Sequence, residues 1–149
     1  MKLYDSVARI LRQKGSHVHA IGPQATVYEA LEVLADKNIG ALAVLEGTDL
    51  VGIVSERDYA RKVFIKGRSS KDMLVHEIMS SPAFTVDPKT TVDDCMRCMT
   101  DQRVRHLVVL EDGKVVGMVS IGDLVNWIIT AQDATIHQLE DYISGRYPA

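Results

Sequence analysis

The sequence predicts a mixed α/β (α+β) fold of two βαββα units, and three observations carry that expectation. The chain overlays on itself without a gap at an offset of 65 residues, the distance from Pro23 to Pro88. Each copy passes from helical apolar spacing through two short β-rich runs and back to a helix. With 149 residues, 46% of them hydrophobic and 25% charged, the chain has apolar material for one domain, or for two very small ones sharing a core.

The elements follow in order. Val7, Ile10 and Leu11 give an opening amphipathic helix within residues 1–15. The first repeat, residues 16–66, begins with an extended piece near Val18 to Ile21. Pro23 then opens a turn into a helix bearing Val27, Ala30, Leu31 and Leu34. Strand runs from Ala41 to Leu45 and from Leu50 to Val54 lie either side of Glu46 to Asp49, and a helix from Glu56 to about Ile65 closes the unit. Residues 67–78 form a linker and short helix; the basic stretch Lys66 to Lys71 at the junction reads as solvated loop. In the second repeat, residues 79–131, the same order recurs. An extended Phe84 to Val86 precedes a helix with Val92, Cys95, Met96 and Met99. Strands His106 to Leu110 and Lys114 to Val119 flank Asp112-Gly113, a strong hairpin signal, and a helix runs from Ile121 to about Thr130. Ile136, Leu139 and Ile143 predict a closing helix within 132–149. The overlay is densest late in each unit, where Val51-Gly52-Ile53-Val54-Ser55 lies on Val116-Gly117-Met118-Val119-Ser120 and Asp58 on Asp123.

Composition excludes several classes. Seventeen Lys plus Arg against twenty Asp plus Glu leave a net charge of -3, with no general attraction to nucleic acid. No run approaches the roughly 18 apolar residues of a membrane span. The start, Met1-Lys2-Leu3-Tyr4-Asp5-Ser6, lacks the apolar stretch of a secretory signal, so the expected compartment is the cytoplasm. Two cysteines are too few for a disulfide scaffold, which agrees with a reducing compartment.

The chemistry concentrates in Gly52-Ile53-Val54-Ser55-Glu56-Arg57-Asp58 and its copy Gly117-Met118-Val119-Ser120-Ile121-Gly122-Asp123. Each ends a strand and starts a helix, where unpaired N–H groups and the dipole favour an anion such as phosphate. A serine adds a hydroxyl, and a carboxylate one turn later can accept two hydrogen bonds from the hydroxyls of a ribose. The same Ser-x-x-Asp spacing also describes a capping box, in which the carboxylate only returns a bond to the cap.

A repeated unit ending in this motif resembles the cystathionine β-synthase (CBS) domain, here as a tandem pair, or Bateman module. The resemblance covers nearly the whole chain. It rests on both terminal motifs, on the openings at Pro23 and Pro88, and on Ile39-Gly40-Ala41-Leu42 and Val104-Arg105-His106-Leu107 entering the middle strands. The chain departs from the family in one place: Ala43 and Val108 stand where a proline is frequent. The resemblance implies repeats packed sheet to sheet about a pseudo-twofold axis, pairs that dimerise, and two clefts binding AMP, ADP, ATP, NAD or S-adenosylmethionine. One cleft would use Ser55, Asp58, Phe84, Arg105 and His106; the other would use Ser120 and Asp123 with Val18, Gly40 and Ala41. Arg57 and Arg61, one turn apart, could hold a phosphate or pyrophosphate in the first, whereas Gly122 and Asn126 replace them in the second. The Asp58 cleft is therefore expected to prefer the more phosphorylated ligand.

Other features read more plainly. Cys95-x-x-Cys98 has the spacing of a redox dithiol or half a zinc site, but it overlays on Ala30 and Val33, which points to core packing. His17 and His19 form a weak metal pair without a third ligand, and His106 sits at a predicted cleft. Met73, Met79, Met96, Met99 and Met118 read as apolar filler, and Trp127 as packing against a flanking helix or a dimer partner. The function expected is a non-catalytic, homodimeric regulatory module, without metal or catalytic cofactor, that senses an adenine nucleotide (AMP, ADP or ATP) or NAD and acts on a separate protein. The competing readings are a structural dimerisation or adaptor domain and a thiol oxidoreductase using Cys95 and Cys98.

Overall fold

The computed structural model describes residues 2–130. The expected closing helix at 132–149 lies outside them. A short 3-10 turn, Lys2–Tyr4, leads into α1 (Val7–Lys14). The first repeat contains β1 (Ala20–Ile21), α2 (Val27–Lys37), β2 (Ala41–Glu46), β3 (Asp49–Ser55) and α3 (Glu56–Tyr59), which continues as a π-helical turn, Ala60–Phe64. Then α4 (Val75–Ile78) leads to β4 (Thr85–Val86), α5 (Val92–Gln102), β5 (His106–Glu111) and β6 (Lys114–Ser120). Residues 121–130 form the last described helix, α6.

Each repeat makes one three-stranded sheet, with the short first strand parallel to the middle strand and the hairpin antiparallel. The two hairpins share register and irregularity: the pairing shifts between Val44 and Leu45, and between Val109 and Leu110. Asp112 and Gly113 take φ of 52° and 78°, so both turn residues are left-handed, as the tight hairpin requires. The first hairpin also closes over two residues, Gly47-Thr48, so its strands run longer than their apolar runs. Thr26 and Thr91 cap α2 and α5, accepting from the N–H of Glu29 and Asp94 at 3.1 Å each.

The middle strands are buried on both faces, which explains their unbroken apolar runs. Leu42 and Val44 face a core with Val27, Ala30, Leu34, Val54 and Val63; Leu107 and Val109 face its counterpart with Val92, Cys95, Met99, Val119 and Leu124. Ala43 and Val108, on the opposite faces, are equally buried, and β3 of one sheet contacts β6 of the other. Their amides donate to the carbonyls of His19 and Phe84 at 3.2 Å, bonds a proline would forfeit. The departure from proline thus adds a ladder bond in each repeat.

The opening helix is no appendage. Val7, Ile10 and Leu11 of α1 are buried in the second repeat's core, and α4 buries Val75 and Ile78 in the first repeat's core. The hydrogen bonds are matched: Val7 N–H to Thr90 and Val92 N–H to Asp5, against Val75 N–H to Ala25 and Val27 N–H to Met73. Helix α1 therefore corresponds to α4, 68 positions later, and crosses to cover the far repeat. Trp127 on α6 donates from Nε1 to Asp5 Oδ2 at 3.1 Å and packs against this core, so it meets the N-terminal segment.

Candidate functional site

Two clefts open between the repeats, and each takes the end of a hairpin from one repeat and the strand entry of the other. At the first, β3 delivers Ser55 as the N-cap of α3. Ser55 Oγ accepts from Asp58 N–H at 3.2 Å, while Asp58 Oδ2 accepts from Ser55 N–H at 2.9 Å. At the second, Ser120 and Asp123 make the same exchange at 3.1 and 2.8 Å. Both motifs are complete capping boxes, so local helix chemistry alone accounts for the spacing. What lies around each carboxylate separates the two clefts.

The Asp58 cleft, about 380 Å³, brings together Ser55, Arg57, Asp58, Arg61, Phe84, Arg105 and His106, every residue the sequence placed there. Lys62 and Arg103 also line it, giving five basic side chains against Glu56 and Asp58. Asp58 Oδ1, the oxygen outside the capping box, faces Lys62 Nζ at 3.2 Å and Ser80 Oγ at 3.5 Å. Arg103 is the C-cap of α5 with φ of 55°, where glycine or asparagine usually sits; its counterpart on α2 is Asn38, with φ of 53°. An arginine in this backbone region costs about 1 kcal/mol, and Arg57 Nη1 donates to its carbonyl at 3.5 Å across the cleft.

The Asp123 cleft, about 470 Å³, gathers Val18, Gly40, Ala41, Ser120 and Asp123 as expected. It also contains Lys14, His17, His19 and Asn38, none of which the motifs point to as cleft residues. His19 occupies the place of Phe84, since the carbonyls of both accept the equivalent middle-strand amide. The overlay at 65 pairs these two residues and is the signal that could have placed His19 here. His17 and His19 meet edge to face, 4.6 Å between centroids, and among the described residues no group of three His, Cys, Asp or Glu could hold a metal. Gly40 and His106 line both clefts and form the wall between them.

Burial holds the His106 pKa below the ordinary histidine value, with Lys14 and Arg105 lowering it further and Asp123 opposing. The unfolded chain therefore binds its proton more readily than the folded one. That contribution is complete above the ordinary value of 6.5 and is lost as pH falls through it towards the depressed folded value. Urea unfolding at pH 7.5 and 5.5 should show a smaller drop in midpoint for His106→Gln than for the native chain. Equal drops would remove His106 from the acid sensitivity.

Cys95 is buried, and that burial, with Cys98, Asp94 and Asp87 adding, pushes its thiol up to about 12. A thiol this reluctant to ionise is a poor nucleophile, and its place in the second core is the one Ala30 fills in the first. Among the described residues no helix is long and apolar enough to cross a membrane.

Comparison with known proteins agrees with this fold. The family model described as the CBS domain matches residues 7–64 and 75–130; the two segments begin at the first residues of α1 and α4. A mitochondrial CBS domain-containing protein of Arabidopsis thaliana, CBSX3, is 42% identical over 127 residues. That match covers 82% of this chain and 62% of the plant protein, so the chain spans under two thirds of that relative's length. The structure of a putative signal-transduction protein with CBS domains from Burkholderia ambifaria superposes with a TM-score of 0.82 at 46% identity, covering 85% of this chain and 96% of that one. A hexameric CBS-CP12 protein from bloom-forming cyanobacteria gives a TM-score of 0.74 at 30% identity, over 80% of this chain and 66% of that one.

Proposed function

The chain belongs to the CBS-domain family, and from that premise we propose that it is a non-catalytic regulatory module whose two clefts bind adenosine-containing ligands. One observation carries the reading. Each cleft sets the carboxylate of one repeat opposite the middle-strand entry of the other, so a ligand must touch both repeats at once. In this reading Asp58 or Asp123 accepts the ribose hydroxyls, while Phe84 or His19 offers a ring to the base. Five basic side chains suit the Asp58 cleft to ATP, ADP or the pyrophosphate of NAD; a single lysine suits the Asp123 cleft to fewer phosphates, such as AMP. A ligand bridging the repeats shifts their relative arrangement only as far as it prefers one arrangement.

The readout in this proposal passes to a separate partner protein in the cytoplasm, through a homodimer. Phe64 and Ile65 end the first repeat with large exposed apolar side chains, and the pseudo-symmetric Ile129 on α6 is half exposed, so matched apolar faces are available to a second copy. The CBS-domain neighbour named as a signal-transduction protein and the hexameric one support regulation and assembly.

Complete capping boxes favour a second reading, a structural or adaptor domain in which both aspartates serve only their helices. Thermal unfolding of ligand-stripped protein against AMP, ADP, ATP, NAD and S-adenosylmethionine separates the two. A ligand at about a hundred times its dissociation constant adds about 2.7 kcal/mol. Asp58→Asn and Asp123→Asn keep an acceptor for the cap and remove the charge, so each should abolish the ligand shift of its own cleft with little change in the unliganded midpoint. Arg103→Asn should hold or raise the midpoint while weakening the most phosphorylated ligand. No shift with any ligand at millimolar concentration would leave the adaptor reading standing.

A further inference from the structure

The Asp123 carboxylate is already engaged on one oxygen by two donors. Ser120 N–H reaches Oδ2 at 2.8 Å, and Lys14 Nζ reaches the same atom at 2.6 Å. Lys14 Nζ also donates to the Met118 carbonyl at 2.8 Å, which leaves one of its three N–H groups directed elsewhere. In the other cleft the lysine on the carboxylate is Lys62, four residues along the same helical segment. Lys14 instead arrives from the end of α1, whose Val7, Ile10 and Leu11 are anchored in the second core. The backbone carrying this ammonium is therefore held in place, while its side chain is 41% exposed.

Lys14 is also the one lysine or arginine among the described residues that line this cleft. Of the other groups facing it, burial holds His19 and His106 below the ordinary histidine value, and Asp123 is the only carboxylate. Beside the three imidazoles of His17, His19 and His106, Lys14 and Asp123 are thus the one cationic and the one carboxylate side chain among the residues lining this cleft, and they pair with each other.

Resting on the reading of this cleft as a nucleoside site, we propose that Lys14 is its specificity-determining residue, admitting phosphorylated nucleosides and rejecting uncharged or cationic ones. A ligand whose hydroxyls take Asp123 must share or displace the ammonium. An uncharged nucleoside offers that ammonium no anion in exchange, and a sulfonium-bearing nucleoside meets it with like charge. A phosphate supplies the replacement acceptor, so the ion pair is exchanged for another.

The test is calorimetric titration of the intact chain with AMP and with adenosine, for the native protein, Lys14→Met and Lys14→Arg. Each titration is repeated with Asp123→Asn to identify the heat arising in this cleft. The native protein should bind AMP more tightly than adenosine. Lys14→Met should lower the AMP-to-adenosine affinity ratio about five- to tenfold, the scale of one charge-assisted contact at a half-exposed position, while Lys14→Arg retains it. An unchanged ratio in Lys14→Met, with Asp123-dependent heat still present, overturns the role of Lys14 and leaves the cleft reading intact. Absence of Asp123-dependent heat with either ligand in the native chain overturns the cleft reading, and this proposal with it.

Discussion

Valine at Gly52 is expected to lower the unfolding midpoint by on the order of 10 °C, corresponding to about 3 kcal/mol. A Cβ at Gly52 would lie 2.8 Å from Met79 Sδ and 2.8 Å from the Ser80 carbonyl oxygen. The sulfur could rotate away, but the carbonyl belongs to a backbone bridge in which Ile53 and Ser80 exchange hydrogen bonds of 3.0 and 2.8 Å. Relief therefore requires either breaking that bridge or moving α4 out of the first core. The pseudo-equivalent Gly117 is crowded differently: its nearest neighbours are Leu11 Cδ1 and Cδ2 at 2.7 Å, the far end of a flexible side chain. Gly117→Val should cost clearly less than Gly52→Val, about half. Thermal unfolding of both variants is the check; an equal or larger loss at Gly117 would show that the backbone bridge is not what resists the added side chain.

The largest expected effect on binding comes from Gly40→Leu, which should weaken ligands in both clefts by roughly a hundredfold or more through filled volume alone. Gly40 lines both clefts, and a Cβ there would stand 3.4 Å from Cε1 and Nε2 of His106. A methyl group fits at that distance, so Gly40→Ala should be mild. A leucine extends into the space that ligands of both clefts would occupy in the proposed reading. The Gly40 carbonyl accepts from Glu56 N–H at 3.1 Å, a backbone bond that neither substitution removes, so the start of α3 should keep its anchor. Ligand-induced thermal shifts for both clefts should vanish together in Gly40→Leu, with the unliganded midpoint within a few degrees of native. A shift that survives in either cleft would mean that the ligand seated there does not reach the shared wall.

Both clefts are partly legible in the amino-acid sequence, because much of their chemistry sits in short repeated segments. Ser55, Asp58, Arg57 and Arg61 fall together through helical spacing alone, and the overlay at 65 carries Ser120 and Asp123 with them. His19 reads by itself as half of a weak metal pair, although the same overlay puts it on Phe84. Lys62 stands one turn beyond Asp58, on a helix whose continuation as a π turn apolar periodicity does not reveal. Arg103 escapes sequence reasoning because nothing in an arginine signals a left-handed C-cap; its partner Asn38, of a type common there, is the available hint.

What the amino-acid order determined by itself was local: the two βαββα units, their hairpins, their helix caps and the alternation that buries Leu42 and Val44 on one face. These follow from side-chain periodicity and turn chemistry, which act over a few residues. The tertiary structure decided which units those elements serve. Helix α1 could have covered the first sheet, which follows it directly, yet Leu11 packs over Gly117 and Lys14 reaches Asp123 more than a hundred residues away. The reason is occupancy: α4 already covers the first sheet, with Met79 and Ser80 closed over Gly52, so the apolar stripe of α1 is buried by crossing to the second. Amphipathicity specifies that a helix needs an apolar surface, and only the packing of the whole chain specifies which surface remains open.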